Sequence, residues 1–181
     1  MTFKSYSTEG IILARRNFSE ADRIISIYTK QFGRLSYIAK GVRQPTSRKR
    51  GHLEIFSHIK FQGSRTKGLD IITEVETINN FREIRTKLNK AALAYFFVEV
   101  IGRTTHEGEP NPELYSIILG NLKKLTYDEK LKSLKNNYIV EVLCGLGFWP
   151  KGKALPDPEA KLLEVTERSL ASSRIGKKLL N

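Results

Sequence analysis

The clearest strand pattern lies in the stretch LEIFSHIKF, residues 53–61. Every second residue would share one strand face, with Leu53, Ile59 and Phe61 on one side and Phe56 and Lys60 on the other. The pattern recurs at residues 69–77, and apolar segments at 8–16, 22–29 and 34–40 are separated by turn residues. Five short strands in so short a region favour a closed barrel, because closure removes the strand edges.

After Asn79 the apolar period changes from two to that of a helix. Asn80 and Glu83 match a capping box before a helix that continues to Ile101, and a second helix opens at Asn111-Pro112. A second capping box, Thr126 and Glu129, precedes a third helix that ends near residues 145–150, and Asp157-Pro158 opens a last one. We therefore predict two segregated parts: a five-stranded β-barrel domain over residues 1–79, and an all-helical domain over residues 80–181.

Positive charge is concentrated in the predicted barrel. The 181 residues include 31 Lys and Arg against 19 Asp and Glu, a formal net charge of +12. Residues 34–67 hold nine basic side chains, opposed by Glu54 alone. A focused patch of this kind is expected to bind a phosphate backbone. The candidate phosphate ligands are Arg34, Lys40, Arg43, Arg48, Lys49, Arg50, Lys60, Arg65 and Lys67.

Aromatic side chains near this patch are candidates for stacking on bases. Tyr28, Phe32 and Tyr37 lie on or beside the second and third strands, where barrels of this kind stack bases of single strands. Tyr37 shares a face with apolar neighbours and is expected to be buried. Phe56 alternates with charged neighbours, so we expect it to be exposed and available to a base.

Little in the sequence points to catalysis or to a bound metal. There is no phosphate loop, no GxGxxG and no GxSxG motif. His52-Leu53-Glu54 has the HxE form of zinc deaminases, but the PCxxC that must accompany it is absent. Cys144 is the single cysteine, which excludes an internal disulfide and a multi-cysteine metal site. We predict a protein without enzymatic activity, cofactor or metal, and a nuclease is the enzymatic alternative.

No targeting segment is evident. The first residues lack the pattern of a secretory signal, and the longest apolar run, residues 91–98, is too short to span a bilayer. A cytoplasmic protein with a polyanionic partner and no membrane association is expected.

Several segments resemble the bacterial RecO family of recombination mediators. The N-terminal matches are STEGIIL at 7–13, EADRI at 20–24, GRL at 33–35, KGVR at 40–43, and SR at 47–48 leading to LEIF at 53–56. Looser matches follow at YFFVE (95–99), NPELY (111–115) and LGFWP (146–150). The resemblance implies an N-terminal OB fold, a helical second domain and a location at the bacterial nucleoid.

The same resemblance implies a function in the RecF pathway of DNA repair and recombination after DNA damage. Expected activities are binding of single- and double-stranded DNA, annealing of complementary strands, and help in loading RecA onto DNA coated by single-strand-binding protein. Expected protein partners are RecR and the acidic C-terminal tail of single-strand-binding protein.

The sequence departs from the family in two places. Many members carry a four-cysteine zinc site after the segment that corresponds to residues 146–150, and no cysteine follows it here. The chain also ends at Asn181, earlier than the resemblance leads us to expect, so helices that usually complete the second domain of the family are expected to be missing. Two other functions stay open from the residues alone: an RNA-binding barrel, and a scaffold that binds an acidic peptide through its helical half.

Overall fold

The structure, a computed structural model, describes residues 5–166. The chain divides into two compact units, and the division does not follow the sequence in one cut. The first unit comprises Met1–Asn80 with Thr105–Asn111, and the second comprises Phe81–Thr104 with Pro112–Asn181.

The first unit is a closed barrel of five strands. The strands are β1 (Ser5–Asn17), β2 (Arg23–Thr29), β3 (Gly33–Ala39), β4 (His58–Ser64) and β5 (Asp70–Asn79). Their order around the barrel is β1-β2-β3-β5-β4, and β1 closes the ring by pairing with both β2 and β4. All pairs are antiparallel except β3 with β5, which is parallel. The predicted five-stranded OB-fold barrel is confirmed.

The barrel interior is filled by apolar side chains from all five strands and from the connection between β3 and β4. A register shift between Ile12 and Ala14 bends β1, which lets one long strand serve two neighbours. Tyr37 packs edge-on against Phe61 with ring centroids 4.9 Å apart. The core residues are Ile12, Ile25, Ile27, Tyr37, Ala39, Val42, Leu53, Ile59, Phe61 and Ile72.

Strand β4 begins at His58, five residues later than the sequence pattern predicts. Residues 53–57 form a turn instead, in which Phe56 adopts a left-handed backbone conformation with φ 57°. The Phe56 N–H donates to the Ile12 carbonyl at 2.8 Å, and the Ile12 N–H donates to the Ser57 carbonyl at 3.1 Å. This turn directs the Phe56 ring inward, where it is fully buried. The prediction that Phe56 is an exposed, base-stacking residue is wrong.

The segment Thr105–Asn111, which we call the strap, belongs to the barrel unit although it follows a helix of the other unit. It lies along the first half of β3, which pairs with β5 only at Tyr37 and Ile38. Arg34 forms an isolated parallel bridge with Glu107, and the Gly108 N–H donates to the Arg34 carbonyl at 3.0 Å. The strap therefore covers a strand edge that the barrel itself leaves open.

The described part of the second unit is helical, as predicted. Its helices are α1 (Arg82–Arg85), α2 (Leu88–Thr104), α3 (Pro112–Tyr127), α4 (Leu131–Gly145) and α5 (Pro158–Thr166). Phe97 and Tyr138 form its aromatic centre, with ring centroids 4.1 Å apart and the Tyr138 hydroxyl donating to the Phe97 carbonyl at 2.7 Å. Within the described residues, no helix has the length and apolarity needed to cross a membrane.

Both predicted capping boxes are wrong. The first predicted helix is two helices, and α1 follows Phe81 in a left-handed conformation with no side-chain cap. Thr126 lies in the last turn of α3, where its hydroxyl bonds to the Leu122 carbonyl. Glu129 accepts bonds from lysines near the start of α2 rather than from the backbone of α4. The carboxylate of Glu129 therefore pairs with two ammonium groups, and α4 begins without a side-chain cap.

Candidate nucleic-acid interface

Residues 40–57, the β3–β4 loop, carry most of the predicted phosphate ligands. The chain turns away from β3 at Gly41, which has a φ of 65° and whose N–H donates to the Asp22 carboxylate at 2.8 Å. Successive turn bonds join residues 41 to 44, 44 to 47 and 47 to 50. Val42 and Leu53 are fully buried and attach both ends to the barrel core. The loop thus follows a defined series of hydrogen-bonded turns.

A groove of about 580 Å³ lies between this loop and β5. Three cationic side chains line it: Lys40, Arg48 and Lys49. Lys40 and Arg48 are exposed, while the Lys49 ammonium donates to the Ile72 carbonyl at 3.2 Å. Glu74 is the carboxylate in the lining. Three cations against one carboxylate favour an anionic ligand such as a phosphate backbone.

Four arginines form a second cationic region, the arginine cluster: Arg15, Arg23, Arg43 and Arg50. Burial lowers the pKa of Arg23, and the positive charges of Arg15, Arg43 and Arg50 lower it further, against the opposing effect of Glu54. Glu54 pairs with Arg15 at 2.6 Å. The Arg43 guanidinium donates to the Ser19 carbonyl at 2.8 Å. The positive charges of the arginine cluster therefore lie close enough to affect one another, and Glu54 neutralises them only in part.

Arg15 and Arg23 are not among the candidate ligands predicted from the sequence. They lie near the paired ends of β1 and β2, where Arg23 faces Asn17 across the hairpin. Their position on the hairpin could be predicted from the strand pattern. Their proximity to Arg43 and Arg50 depends on the path of the β3–β4 loop, which the pattern does not reveal.

The other four predicted ligands have different surroundings. Arg34 donates twice to the Thr105 carbonyl, at 3.2 and 3.0 Å, and lies 3.8 Å from Glu107, so it fixes the strap.

Lys60 is paired in register with Glu9 on one side and Glu76 on the other. Arg65 lies over the Tyr6 ring at 5.7 Å, and Lys67 is exposed in the β4–β5 turn. The structure therefore brings five of the nine residues into two groups around the β3–β4 loop.

The aromatic candidates are mostly core residues. Tyr28 and Tyr37 are fully buried, and burial raises the pKa of each to about 12. The burial expected of Tyr37 is confirmed. Phe32 is half-buried against Tyr6, with ring centroids 5.1 Å apart. Among the aromatic residues that the structure describes in the barrel unit, Phe18 is the exposed one, 57% accessible in the β1–β2 turn.

Among residues 5–166, no group of three or more His, Cys, Asp or Glu side chains could hold a metal ion. Cys144 is half-buried, with a free thiol.

The fold defines a protein of the OB-fold class, and the two cationic groups lie on its barrel. Residues 1–81 match the family model described as "Recombination protein O N terminal", so the barrel belongs to the RecO family.

Curated relatives extend the similarity into the helical unit. The DNA repair protein RecO of Roseiflexus sp. (strain RS-1) is 32% identical over 168 residues, which cover 93% of this chain and 59% of that protein. The corresponding protein of Pelotomaculum thermopropionicum is 32% identical over 147 residues, 81% of this chain and 57% of that protein. That of Desulforamulus reducens is 34% identical over 119 residues, 66% of this chain and 46% of that protein.

The chain thus spans about half to three fifths of the length of these relatives. A solved structure of a ZRD-deleted TiaS mutant in complex with agmatine matches 41% of this chain and 21% of that chain at 20% identity. Its TM-score is 0.34, a likeness too low to bear on fold or function.

Proposed function

We propose that the chain is a DNA-binding recombination mediator of the RecO type, which acts in DNA repair without catalysing a reaction itself. It binds single- and double-stranded DNA, anneals complementary strands and helps RecA to load onto DNA coated by single-strand-binding protein. Its protein partners are RecR and the acidic C-terminal tail of single-strand-binding protein, and it acts in the cytoplasm at the nucleoid.

The observation that carries this proposal is a cationic groove on a barrel of the RecO family. Lys40, Arg48 and Lys49 line the groove, and the barrel lies within residues 1–81, which match the family model. The OB fold alone does not decide the ligand, because such barrels serve DNA, RNA and other partners. Family membership is the reason to favour DNA.

Cationic side chains offer a physical route to annealing that needs no ATP. A DNA duplex carries about one negative charge per 1.7 Å of helix axis, so two complementary strands repel each other before they pair. A protein that neutralises phosphates on both strands lowers this repulsion and releases condensed counterions. The groove and the arginine cluster supply the charges for such contacts.

The first test removes two groove cations that have no structural bond in the described residues. Lys40→Ala with Arg48→Ala leaves in place Arg43 and Lys49, whose side chains bond to backbone carbonyls. If about five phosphates are neutralised, log K for a single strand falls with log salt at a slope of about −3.5, and the double variant should reduce it to about −2.1. Salt titrations of oligonucleotide binding measure both slopes.

A matched variant controls for net charge. Lys123→Ala with Lys132→Ala removes the same charge from exposed positions on α3 and α4. We expect its slope to stay close to that of the wild type. An unchanged slope in the groove variant, or an equal change in both variants, would remove the groove from the interface.

The second test addresses the activity itself. Complementary strands coated by single-strand-binding protein should anneal faster when the chain is added, and the groove variant should give less acceleration. Failure of the wild-type chain to accelerate annealing contradicts the mediator function. Competition by a matched RNA strand that equals or exceeds the DNA would favour an RNA-binding barrel.

A further inference from the structure

Phe18 stands out because the barrel exposes this aromatic ring while it buries Tyr28, Tyr37, Phe56 and Phe61. A single exposed apolar residue is common on protein surfaces and has no meaning by itself. What distinguishes Phe18 is the support of its backbone and the charge of its neighbours.

The turn that carries Phe18 is braced from several directions. The Phe18 N–H donates to the Asp22 carbonyl at 3.1 Å, which closes the turn. Arg23 donates to the Asn17 side-chain oxygen at 3.3 Å, and Arg43 donates to the Ser19 carbonyl at 2.8 Å. Arginines therefore hold both chain neighbours of Phe18. The ring is presented on a fixed backbone, which lowers the entropy lost when it stacks on a ligand.

The charges around the turn are mixed, with cations in excess. The arginine cluster supplies four positive charges, and the nearby carboxylates belong to Glu20, Asp22 and Glu54. Asp22 is occupied by the Gly41 N–H at 2.8 Å, and Glu54 by Arg15 at 2.6 Å. Two arginines, Arg23 and Arg43, use part of their donors on the turn and retain others, since a guanidinium has five N–H groups.

We propose that Phe18 stacks on an unpaired base of single-stranded DNA while the arginine cluster binds the phosphates beside that base. This inference rests on the proposed DNA-binding function and adds a preference for single strands over duplex. Bases inside a duplex are stacked on both faces and offer no free face to Phe18. Stacking on an aromatic ring tolerates any sequence, because every base has a π-face.

The test compares Phe18→Ala with the wild type on three ligands: a single-stranded oligonucleotide, an abasic oligonucleotide of equal length, and a blunt duplex. We expect Phe18→Ala to weaken binding of the first by about 5-fold or more. Binding of the abasic strand and of the duplex should change by less than about twofold. Phe18→Tyr, which keeps the ring, should bind all three like the wild type.

Leu88→Ala is the matched control, because Leu88 is a similarly exposed apolar residue, 71% accessible, on α2. It should leave all three affinities unchanged. Equal weakening on the normal and the abasic strand, or no weakening on either, would overturn the role of Phe18. Absence of binding by the wild type would instead contradict the proposed function, so the two failures are distinguishable. Thermal melting of Phe18→Ala and Phe18→Tyr checks that both fold.

Discussion

Gly33 occupies a position where a side chain cannot fit. Its φ of 68° is in the left-handed region, and a Cβ added there would overlap the Glu109 carbonyl and lie 2.9 Å from the Pro110 nitrogen. Gly41 has a similar φ of 65°, but a Cβ there would meet nothing closer than the Gln44 side chain at 3.7 Å. A substitution at Gly41 would therefore cause backbone strain alone, whereas one at Gly33 would cause both strain and steric overlap.

We predict that Gly33→Ala destabilises the barrel more than Gly41→Ala does. Both substitutions should carry a strain of about 1 kcal/mol, and overlap with the strap should add about 1–3 kcal/mol at Gly33. Urea unfolding of both variants measures the difference in free energy of unfolding. Equal losses would mean that the strap yields without cost.

Three aromatic residues show when the burial of a side chain can be predicted from the sequence and when it cannot. The burial of Tyr37 follows from its apolar neighbours on one strand face, so it could be predicted. Phe56 could not be placed by alternation, because its left-handed backbone turns the ring opposite to a strand residue. The exposure of Phe18 could not be predicted for a related reason, because a residue in a turn belongs to no periodic pattern that indicates exposure.

At the scale of elements, strands and helices were predicted where periodicity is strong, and their junctions were not. Strands β1, β2, β3 and β5 lie within a few residues of the apolar segments that predict them. The predicted start of β4 at Leu53 was wrong, because Leu53 and Phe56 are apolar residues of a turn that pack in the core. The groove is lined by residues of the β3–β4 loop and of β5, whose proximity periodicity does not reveal, so only its basic residues could be predicted.

The junction between α3 and α4 carries an ionic contact that the predicted capping box concealed. Lys90 is almost fully buried on α2, and its ammonium lies 2.9 Å from Glu129 and 3.1 Å from the Thr126 carbonyl. The ammonium of Lys87 lies 3.0 Å from the same glutamate. Hydrogen bonds from Lys90 and then Lys87 hold the pKa of Glu129 below its ordinary value of about 4.5.

We predict that this contact makes the helical unit sensitive to acid. A lowered pKa in the folded state means stabilisation that is fully present above about pH 4.5 and is lost as the pH falls through the folded pKa. Glu129→Gln should therefore be less stable than the wild type at pH 7, and the difference in stability should be smaller at pH 3. Chemical unfolding at both pH values measures this, with Glu83→Gln at an exposed position of α1 as the control. A constant gap between wild type and Glu129→Gln would contradict the assignment.

At the scale of the whole molecule, net charge does not distinguish the two units. The barrel unit holds 14 Lys and Arg against 9 Asp and Glu, and the helical unit holds 17 against 10. The excess seen in residues 34–67 is partly offset by acidic residues on β5 and the strap. The case for a DNA surface on the barrel therefore rests on how the loop arranges its cations, which composition cannot reveal.

The chain passes between the units three times, because the strap returns to the barrel between α2 and α3. A boundary near residue 80, as the sequence suggests, would separate the barrel from the segment that covers the open half of β3. Open strand edges promote pairing with other chains, so the strap protects the barrel as well as stabilising it. Arg34 holds the strap by two bonds to the Thr105 carbonyl, and Ser36 and Tyr28 add bonds to Glu107 and Asn111.

We predict that the stabilisation due to Arg34 depends on the strap. In the full chain, Arg34→Ala should cost about 1 kcal/mol, since charge-assisted bonds are lost at a partly exposed site. When residues 105–111 are replaced by a Gly-Ser segment of equal length, Arg34→Ala should cost close to nothing, because a flexible segment offers no fixed carbonyl.

Unfolding of the four combinations gives the coupling between Arg34 and the strap. Arg48→Ala, at an exposed position, should show no such coupling. An equal cost of Arg34→Ala in both backgrounds would contradict the coupling and place the contribution of Arg34 within the five strands.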